Sequence, residues 1–452
     1  MQARHRAPTG RAVSRRKPLL LFRTIFCGEM GLNMEILRID GGRRLDGAVT
    51  IHGAKNSALP LLAASLLARG TSEITNCPQL SDVAASVNIL RHLGCRVERS
   101  EGTVAVDSLP LSRSDVPDSL MREMRSSIIF LGALIARTGE AHMSFPGGCE
   151  LGARPIDLHL AALRQLGVKI IEERGRLLCR AGGRLKGTAI ALDFPSVGAT
   201  ENILLAASTA EGKTTILNAA REPEIVDLCA YLSRCGARIQ GAGEGAITVE
   251  GVERLTAAPY RVMPDRIETV TYLAAGAVTG GRLALRGAEP AHIATVLPVF
   301  EEAGCELTCR PGELEIRAPA RLRRVRSIRT MPYPGFPTDA QAPLMAMTSV
   351  ADGTSVFVEN IFENRYKHAG ELIRMGANIK VEGRVAVVEG VESLSGAPVE
   401  CTDLRGGAAL VIAGLAADGT TSLREIHHLD RGYEGLDSAL QGLGAHIQRI
   451  EE

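Results

Sequence analysis

The sequence has no tryptophan, and all aromatic residues together make up only 3% of it. Aromatic surfaces on which nucleic-acid bases could stack are therefore scarce. The net charge of +1 conceals an asymmetry, because residues 1–29 carry seven Lys or Arg against one Glu, which leaves −5 for the rest of the chain. A mildly acidic body argues against nucleic acid as a partner.

Long apolar runs are also missing. No run reaches the roughly 18 residues that a membrane span needs. The basic N-terminal segment contains a short apolar run at residues 19–22, which is too short for a signal peptide. Periodic sequence begins at Met34. We therefore expect residues 1–33 to be a disordered or wrongly assigned N-terminal extension, and a targeting peptide is the less favoured alternative.

Paired metal ligands are absent as well. None of the ten cysteines forms a Cys-x-x-Cys pair, and the ten histidines do not complete a zinc spacing. Most cysteines lie in apolar runs, where a reduced thiol packs as a small hydrophobic group. No phosphate-binding P-loop or dinucleotide fingerprint is present. These absences predict a cytoplasmic protein that uses no metal and no cofactor.

An internal repeat is the strongest organising feature of the chain. Six segments share the end of an apolar helix, a glycine and a short β-like run, with successive spacings of 73, 69, 68, 72 and 68 residues. The six glycines are Gly94, Gly167, Gly236, Gly304, Gly376 and Gly444. A second glycine turn, predicted to end a helix and begin a strand, precedes each of them. The pattern predicts an α/β protein of two domains with three units each, divided near residues 260–264.

A loop at residues 146–155 (PGGCELGARP) combines three glycines and two prolines, so neither a helix nor a strand can run through it. Cys149 lies at its centre and Arg154 follows five residues later. A thiol in such a loop, close to a guanidinium group, can be tuned to give or accept a proton. The alternative is a surface loop with an incidental cysteine.

Two further segments resemble ligand sites at helix starts. Lys55, in GAKNSALP (residues 53–60), opens an apolar helix whose N-terminus suits a phosphate, although a solvated lysine explains the pattern too. Ser196, in FPSVGAT (residues 194–200), offers a hydroxyl to a ligand or serves only as an N-cap.

Charged residues of the second half complete the candidates. Asp339 ends the stiff segment YPGFPTD (residues 333–339) and suits either a general base or an N-cap. Arg365, Arg405 and Arg431 each lie near an acid in the sequence, so local ion pairs are the default interpretation. As a set, the cations at element edges predict a cleft for a small polyanion; they are Lys55, Arg125, Arg154, Arg365, Arg405 and Arg431.

Taken in order, these motifs resemble those of the UDP-N-acetylglucosamine 1-carboxyvinyltransferases. The resemblance runs from about Met34 to the C-terminus and includes GAKNSALP, PGGCELGARPIDLH, DFPSVGAT, REPEIVD, PDRIET, FPTDAQA, FENR, TDLR and DRGYE. The sibling family, the 5-enolpyruvylshikimate-3-phosphate synthases, lacks the GGC loop and is a distant alternative. A catalytically inactive paralogue that binds a nucleotide sugar is another.

The resemblance implies a two-lobe, inside-out α/β barrel built from six repeats. Lobe 1 would combine residues 34–54 with 263–452, and lobe 2 would be residues 55–262, which carry the Cys149 loop. The implied reaction transfers the enolpyruvyl group of phosphoenolpyruvate to the 3′-hydroxyl of UDP-N-acetylglucosamine, with release of phosphate. It would be the first committed step of peptidoglycan precursor synthesis. The sequence leaves the oligomeric state open.

The resemblance also implies roles for single residues. Cys149 matches the proton donor, which can hold a covalent adduct and is alkylated by fosfomycin, and Asp339 matches the general base. Lys55, Arg154 and Arg431 match phosphate contacts, while Arg405 and Arg431 match carboxylate contacts. Positions that match the lining of the nucleotide-sugar site are Asn56, Arg125, Arg154, Pro155, Ile156, Asp157, Leu158, Phe194, Pro195, Ser196, Val197 and Ile361.

Three features depart from the family pattern. Phe194-Pro195 replaces a basic start found in some members, so one uridine contact is expected from the backbone alone. Tyr333 replaces a histidine found in other members, which would alter proton transfer in the site. Residues 1–33 have no counterpart in the family.

Overall fold

A computed structural model describes residues 35–146 and 156–451 of the chain. The segment Met34–Glu452 forms one compact unit. None of the helices in the described ranges combines the length and the apolar character that crossing a membrane requires.

Thirteen α-helices lie within the described ranges. Five of them are buried on nearly all sides, which agrees with their almost continuous apolar sequences: α1 (Lys55–Ser65), α6 (Val197–Ala207), α8 (Arg266–Val278), α10 (Gln341–Thr348) and α12 (Leu404–Ala416). The helices are α1 (Lys55–Ser65), α2 (Ser81–His92), α3 (Asp118–Glu123), α4 (Phe130–Thr138), α5 (Asp157–Gln165), α6 (Val197–Ala207), α7 (Pro223–Arg234), α8 (Arg266–Val278), α9 (Leu297–Glu302), α10 (Gln341–Thr348), α11 (Lys367–Arg374), α12 (Leu404–Ala416) and α13 (Leu436–Gly442). Short 3₁₀ turns occupy Arg125–Ile129, Pro290–Ile293, Thr338–Ala340 and Ile426–His428.

Six four-stranded sheets share one topology. In each, an edge strand runs parallel to its neighbour, which is followed by two antiparallel strands. The first two sheets, each given from its parallel edge strand onward, are β16 (Tyr260–Arg261), β4 (Thr71–Thr75), β6 (Thr103–Asp107), β5 (Arg96–Ser100), and β7 (Asp115–Val116), β8 (Glu140–Ser144), β10 (Arg176–Ala181), β9 (Val168–Glu173). The next two are β11 (Ala189–Ala191), β12 (Lys213–Leu217), β14 (Ala246–Glu250), β13 (Arg238–Gln240), and β2 (Asp46–Thr50), β17 (Arg282–Arg286), β19 (Glu313–Arg317), β18 (Glu306–Arg310). The last two are β20 (Ser327–Arg329), β21 (Thr354–Val358), β23 (Val385–Glu389), β22 (Asn378–Glu382), and β25 (Pro398–Glu400), β27 (Thr420–Arg424), β1 (Glu35–Asp40), β28 (His446–Glu451). Two small parallel pairs join β3 (Ala68–Arg69) to β15 (Leu255–Thr256) and β24 (Leu394–Ser395) to β26 (Ala417–Asp418).

The six repeat glycines adopt one backbone conformation. Gly94, Gly167, Gly236, Gly304, Gly376 and Gly444 all have φ between 95° and 105°. Each stands between a helix and a strand, in a region of φ that favours glycine. The strand begins a hairpin in five cases, whereas the strand after Gly444 is β28, which pairs with β1. The predicted helix, glycine turn and strand are therefore confirmed at all six positions.

The second glycine turn was expected to end a helix, and that expectation is wrong for most units. Gly139 is the C-cap of α4, but Gly70, Gly212, Gly353 and Gly419 come several residues after their helices end. Each of these glycines instead stands immediately before a strand. A short connection intervenes, which contains β3 after α1 and β26 after α12.

Buried apolar side chains form two clusters. Core 1 draws on residues 37–51 and 270–447, and core 2 on residues 58–262. In core 1 the helices α8, α10 and α12 pack on one another, and in core 2 α4 packs on both α1 and α6. The chain passes between the cores where Gly53 pairs with Pro264. The division into two domains at these positions stays a prediction.

Candidate active site

Lys55 is the first residue of α1 and is buried, with 8% of its surface exposed. Its backbone N–H donates to the Asp265 carboxylate at 3.3 Å, and its ammonium lies 2.6 Å from Asp82 Oδ2. Burial lowers the pKa of Lys55, and Asp82 counteracts that effect by favouring the charged form. The carboxylate of Asp82 therefore stabilises an ammonium group in a site with little water.

Arg431 meets the same carboxylate. Its Nε donates to Asp82 Oδ1 at 3.0 Å, so Asp82 joins Lys55 and Arg431 through its two oxygens. Asp82 is 3% exposed and lies in the first turn of α2. The sequence analysis missed Asp82, whose only signal was an acid near a helix start.

Two arginines hold Asp339. Arg365 Nη2 lies 2.9 Å from Asp339 Oδ1, and both Nε and Nη2 of Arg405 lie 3.2 Å from Oδ2. Asp339 belongs to the 3₁₀ turn Thr338–Ala340, whose N-cap is Pro337. The N-cap alternative for Asp339 is therefore wrong, because its carboxylate is turned toward the guanidinium groups.

The predicted local ion pairs are wrong for all three arginines in question, because each pairs with an acid from a distant segment. Asp403 instead caps α12 by accepting the backbone N–H of Arg405 at 3.0 Å. Asp430, next to Arg431, pairs with Arg449 at 2.8 Å. Because Asp403 and Asp430 are engaged in these contacts, Arg405 and Arg431 pair with acids that the fold brings near them.

The two cationic clusters lie close to each other. Arg405 and Arg431 both lower the pKa of Lys55, after the larger effect of burial. Arg405 is 2% exposed and stacks on Tyr433 at 5.2 Å, and the hydroxyl of Tyr433 lies 2.9 Å from Thr271 Oγ1. The predicted residues Lys55, Asp339, Arg405 and Arg431 thus belong to one charged region.

A buried histidine links α5 and α6, the helices that begin at the two segments predicted to line the nucleotide-sugar site. His159 in α5 has its Nδ1 2.8 Å from the amide nitrogen of Asn202 in α6, and Asn202 also accepts the backbone N–H of Gly132 at 2.6 Å. Burial, assisted by Arg125, lowers the pKa of His159 to about 4. A neutral His159 therefore fixes the start of α5, with residues 156–158, against α6. Sequence reasoning did not identify His159 or Asn202.

The other lining positions have ordinary local roles. Ser196 accepts the backbone N–H of Ala199 at 3.3 Å, so it is the N-cap of α6, as the simpler alternative stated. Phe194 is 43% exposed, and Arg125 Nη1 donates to the carbonyl of Pro146 at 3.4 Å. Five further positions are partly buried, namely Asn56, Leu158, Pro195, Val197 and Ile361. Asp157 is exposed and Ile156 is buried.

Three predicted residues lie outside the described ranges: Cys149, Arg154 and Pro155. Within those ranges, no group of three or more His, Cys, Asp or Glu side chains is arranged to hold a metal ion. The eight cysteines of the described part are all free thiols.

Comparison with known proteins assigns the family. Residues 39–440 match the sequence model of the EPSP synthase family, described as 3-phosphoshikimate 1-carboxyvinyltransferase. A UDP-N-acetylglucosamine 1-carboxyvinyltransferase 2 of Caldanaerobacter subterraneus subsp. tengcongensis is 52% identical over 413 residues, which cover 91% of this chain and 99% of the relative. The chain belongs to the UDP-N-acetylglucosamine 1-carboxyvinyltransferase family. A relative with the same enzyme name in Trichlorobacter lovleyi is 48% identical over 93% of this chain and 100% of its own length.

Solved structures share the fold of this family member. The enolpyruvyl transferase NikO from Streptomyces tendae superposes with a TM-score of 0.84 at 28% identity, over 93% of this chain and 100% of its own. An EPSP synthase from Acinetobacter baumannii has a TM-score of 0.72 at 20% identity, over 92% of this chain and 100% of its own. The six-repeat enolpyruvyl transferase fold implied by the motifs is therefore confirmed.

Proposed function

We propose that the chain transfers the enolpyruvyl group of phosphoenolpyruvate to the 3′-hydroxyl of UDP-N-acetylglucosamine and releases phosphate. The observation that carries the proposal is sequence identity: relatives named for this activity are 52% and 48% identical to this chain over nearly the full length of both chains. The matched stretch covers more than nine-tenths of the chain, so it is not confined to one of the two cores. The product would be the first committed precursor of peptidoglycan.

The charges of the described site suit the substrates. Phosphoenolpyruvate carries a phosphate and a carboxylate, and Lys55, Arg405 and Arg431 supply three buried or half-buried cations in one region. Arg405 Nη1 is buried without a hydrogen-bond partner among the described residues. A buried donor left unpaired costs about 1–3 kcal/mol, so a carboxylate of the substrate is a natural partner for it.

The proposed chemistry is an addition followed by an elimination. A proton adds to C3 of phosphoenolpyruvate while the 3′-oxygen of the sugar bonds to C2, which gives a tetrahedral intermediate. The bond from C2 to the phosphate oxygen then breaks and C3 loses a proton, which restores the double bond. We assign Cys149 as the proton donor at C3 and Asp339 as the acceptor of the hydroxyl proton.

The carboxylate of Asp339 is suited to that role by its orientation. Arg365 and Arg405 hold it from two sides, and Asp339 is 27% exposed, so it remains accessible to a hydroxyl group. We also propose the cytoplasm as the compartment, because the eight free cysteines in the described part fit a reducing environment.

Phosphate release tests the proposal. The chain is incubated with phosphoenolpyruvate and, in separate reactions, with UDP-N-acetylglucosamine, shikimate 3-phosphate or no acceptor. We expect phosphate release only with UDP-N-acetylglucosamine. Release with shikimate 3-phosphate would instead support the activity that names the wider family.

A further inference from the structure

We propose that Asp82 is a positioning residue that holds Lys55 and Arg431 together as one anion-binding pair. The inference deepens the proposed function, on which it rests, and concerns a residue that the sequence motifs did not indicate. Asp82 would act through the two cations and would not itself contact the reacting atoms.

The geometry of the pair is specific. Lys55 Nζ lies 2.6 Å from Asp82 Oδ2, and Arg431 Nε lies 3.0 Å from Asp82 Oδ1, so each oxygen serves one cation. The contact with Arg431 uses Nε and does not involve the two terminal nitrogens. Those nitrogens form the planar fork that binds a phosphate or carboxylate with two parallel bonds. Asp82 thus orients the guanidinium group without occupying its ligand-binding edge.

The pair spans the two cores. Lys55 and Asp82 open helices whose apolar faces belong to core 2, whereas Arg431 follows Leu429, a member of core 1. A phosphate group that binds Lys55 and Arg431 therefore requires the two cores to be close, and Asp82 supplies a fixed carboxylate for both cations at that position.

Two contacts that do not involve the cations accompany the pair. The backbone N–H of Ser81 donates to the carbonyl of Asp430 at 3.2 Å, and the backbone N–H of Gln79 donates to Glu434 at 2.7 Å. These bonds also join residues 79–81, at the start of α2, to the loop that carries Arg431. The approach of the two segments therefore does not depend on Asp82 alone, and its removal should affect the cations more than the fold.

Charge around Lys55 gives a second consequence. Among the groups with the largest effects on the pKa of Lys55, Asp82 favours the ammonium form, whereas Arg431 and Arg405 disfavour it. The carboxylate of Asp265, which accepts the backbone N–H of Lys55 at 3.3 Å, is a further acid nearby. Burial disfavours the ammonium as well. A neutral side chain in place of Asp82 removes the strongest favourable influence, so Lys55 would lose its proton at a lower pH.

Asp82→Asn is the principal test, since asparagine has the same shape without the charge. We expect the KM for phosphoenolpyruvate to rise about tenfold or more, because charge-assisted bonds to the anion are misaligned. The KM for UDP-N-acetylglucosamine should change much less. The alkaline limb of kcat/KM for phosphoenolpyruvate should move to lower pH, since Lys55 would titrate earlier.

Two further variants separate charge from geometry and from loop contact. Asp82→Glu keeps the charge but displaces the carboxylate, so KM for phosphoenolpyruvate should rise while the alkaline limb stays in place. Glu434→Gln is the matched control, because it weakens the neighbouring loop contact without touching either cation. Its effects should be small and similar for both substrates.

Inorganic phosphate provides a readout that does not need turnover. Phosphate should raise the unfolding temperature of the wild type and have a much weaker effect on Asp82→Asn. If the wild type transfers no enolpyruvyl group, the proposed function fails, yet this binding test of Asp82 still stands. Wild-type phosphate stabilisation in Asp82→Asn, or a KM pattern equal to that of Glu434→Gln, would overturn the positioning role.

Discussion

At the scale of single residues, Asp339 is held in one direction by two guanidinium groups. Arg365 and Arg405 contact different oxygens of its carboxylate, at 2.9 and 3.2 Å. A carboxylate fixed in this way can accept a proton from a hydroxyl group placed beside it without first reorienting. Its catalytic contribution should therefore be separable from its structural one.

Asp339→Asn should lower kcat by about a hundredfold or more, because general acid–base groups contribute roughly 10²–10⁴ in rate. Substrate binding should be less affected, since both arginines remain. The measurement is steady-state phosphate release. Asp352→Asn is the control, because this exposed acid has only a 3.9 Å contact with Arg321 and should behave as wild type. A loss of only a few-fold in Asp339→Asn would contradict the role of general base.

Cys149 is the residue at which a chemical role and a packing role predict opposite results. If it donates the proton, Cys149→Asp should retain substantial turnover, because like charge from the phosphate raises the pKa of the new carboxyl group. Cys149→Ser should lose nearly all activity, since a hydroxyl is far too weak an acid. Fosfomycin should alkylate Cys149 and so add the mass of one fosfomycin molecule to the wild-type peptide that contains it. The corresponding peptide of Cys149→Asp should gain no mass. An active serine variant beside an inactive aspartate variant would refute the assignment.

His368 should make the fold sensitive to acid. Burial lowers its pKa to about 4, and both ring nitrogens lack partners among the described residues. As pH falls, His368 is protonated near pH 6.5 in the unfolded chain but only near pH 4 in the folded chain. The free energy of unfolding therefore decreases as pH falls from about 6.5 to 4. The shift corresponds to up to about 3 kcal/mol. Urea unfolding of His368→Leu should show a flatter acid limb, and an unchanged limb would exclude this histidine as the cause.

The sequence allowed the cations and Asp339 to be chosen but not their partners. Arg431 pairs with Asp82 across 349 positions, and Arg405 pairs with Asp339 across 66. Contacts of that range depend on the packing of whole helices, which local spacing does not encode. The buried pair of His159 and Asn202 escaped notice for the same reason.

At the scale of elements, helix α6 and the start of α5 are packed too closely for a side chain at Gly198. A Cβ there would lie 2.9 Å from the ring of His159, which is buried and tied to Asn202. The ring cannot move aside without shifting the start of α5. The conformation of residues 156–158 therefore depends on this glycine.

Gly198→Ala should raise the KM for UDP-N-acetylglucosamine several-fold and leave that for phosphoenolpyruvate nearly unchanged. Gly370→Ala in α11 is the matched control, because a Cβ there meets nothing within 4 Å. The control should be neutral or stabilised by up to about 1 kcal/mol. If Gly198→Ala keeps wild-type KM values, residues 156–158 are not held for the nucleotide sugar through His159.

The repeat glycines show which elements a sequence can reveal. Gly94 and its five counterparts require positive φ, so a helix end and a strand start could be located around each. Most of the second set of glycines misled, because Gly70, Gly212, Gly353 and Gly419 stand before strands and not at helix ends. A glycine of either set indicates only that the backbone needs positive φ, and this need arises both at helix ends and immediately before strands.

At the scale of the whole molecule, the charged site draws on residues packed with both cores. Bonds such as Gln79 to Glu434 join them on one side, while Gly53 and Pro264 join them at the chain crossing. Binding of a ligand that uses cations from both sides should favour their approach.

Small-angle scattering should therefore give a smaller radius of gyration with saturating UDP-N-acetylglucosamine than without it. An unchanged radius at saturation would show that the cores are already closed without ligand.

The identity of the product tests the central claim most directly. The chain is incubated with phosphoenolpyruvate and UDP-N-acetylglucosamine, and the nucleotide sugar is analysed by mass spectrometry and NMR. We predict a gain of one enolpyruvyl group attached through the 3′-oxygen of the sugar, in amounts equal to the phosphate released. Recovery of unchanged UDP-N-acetylglucosamine from a folded protein that binds both substrates would contradict the account and identify an inactive paralogue.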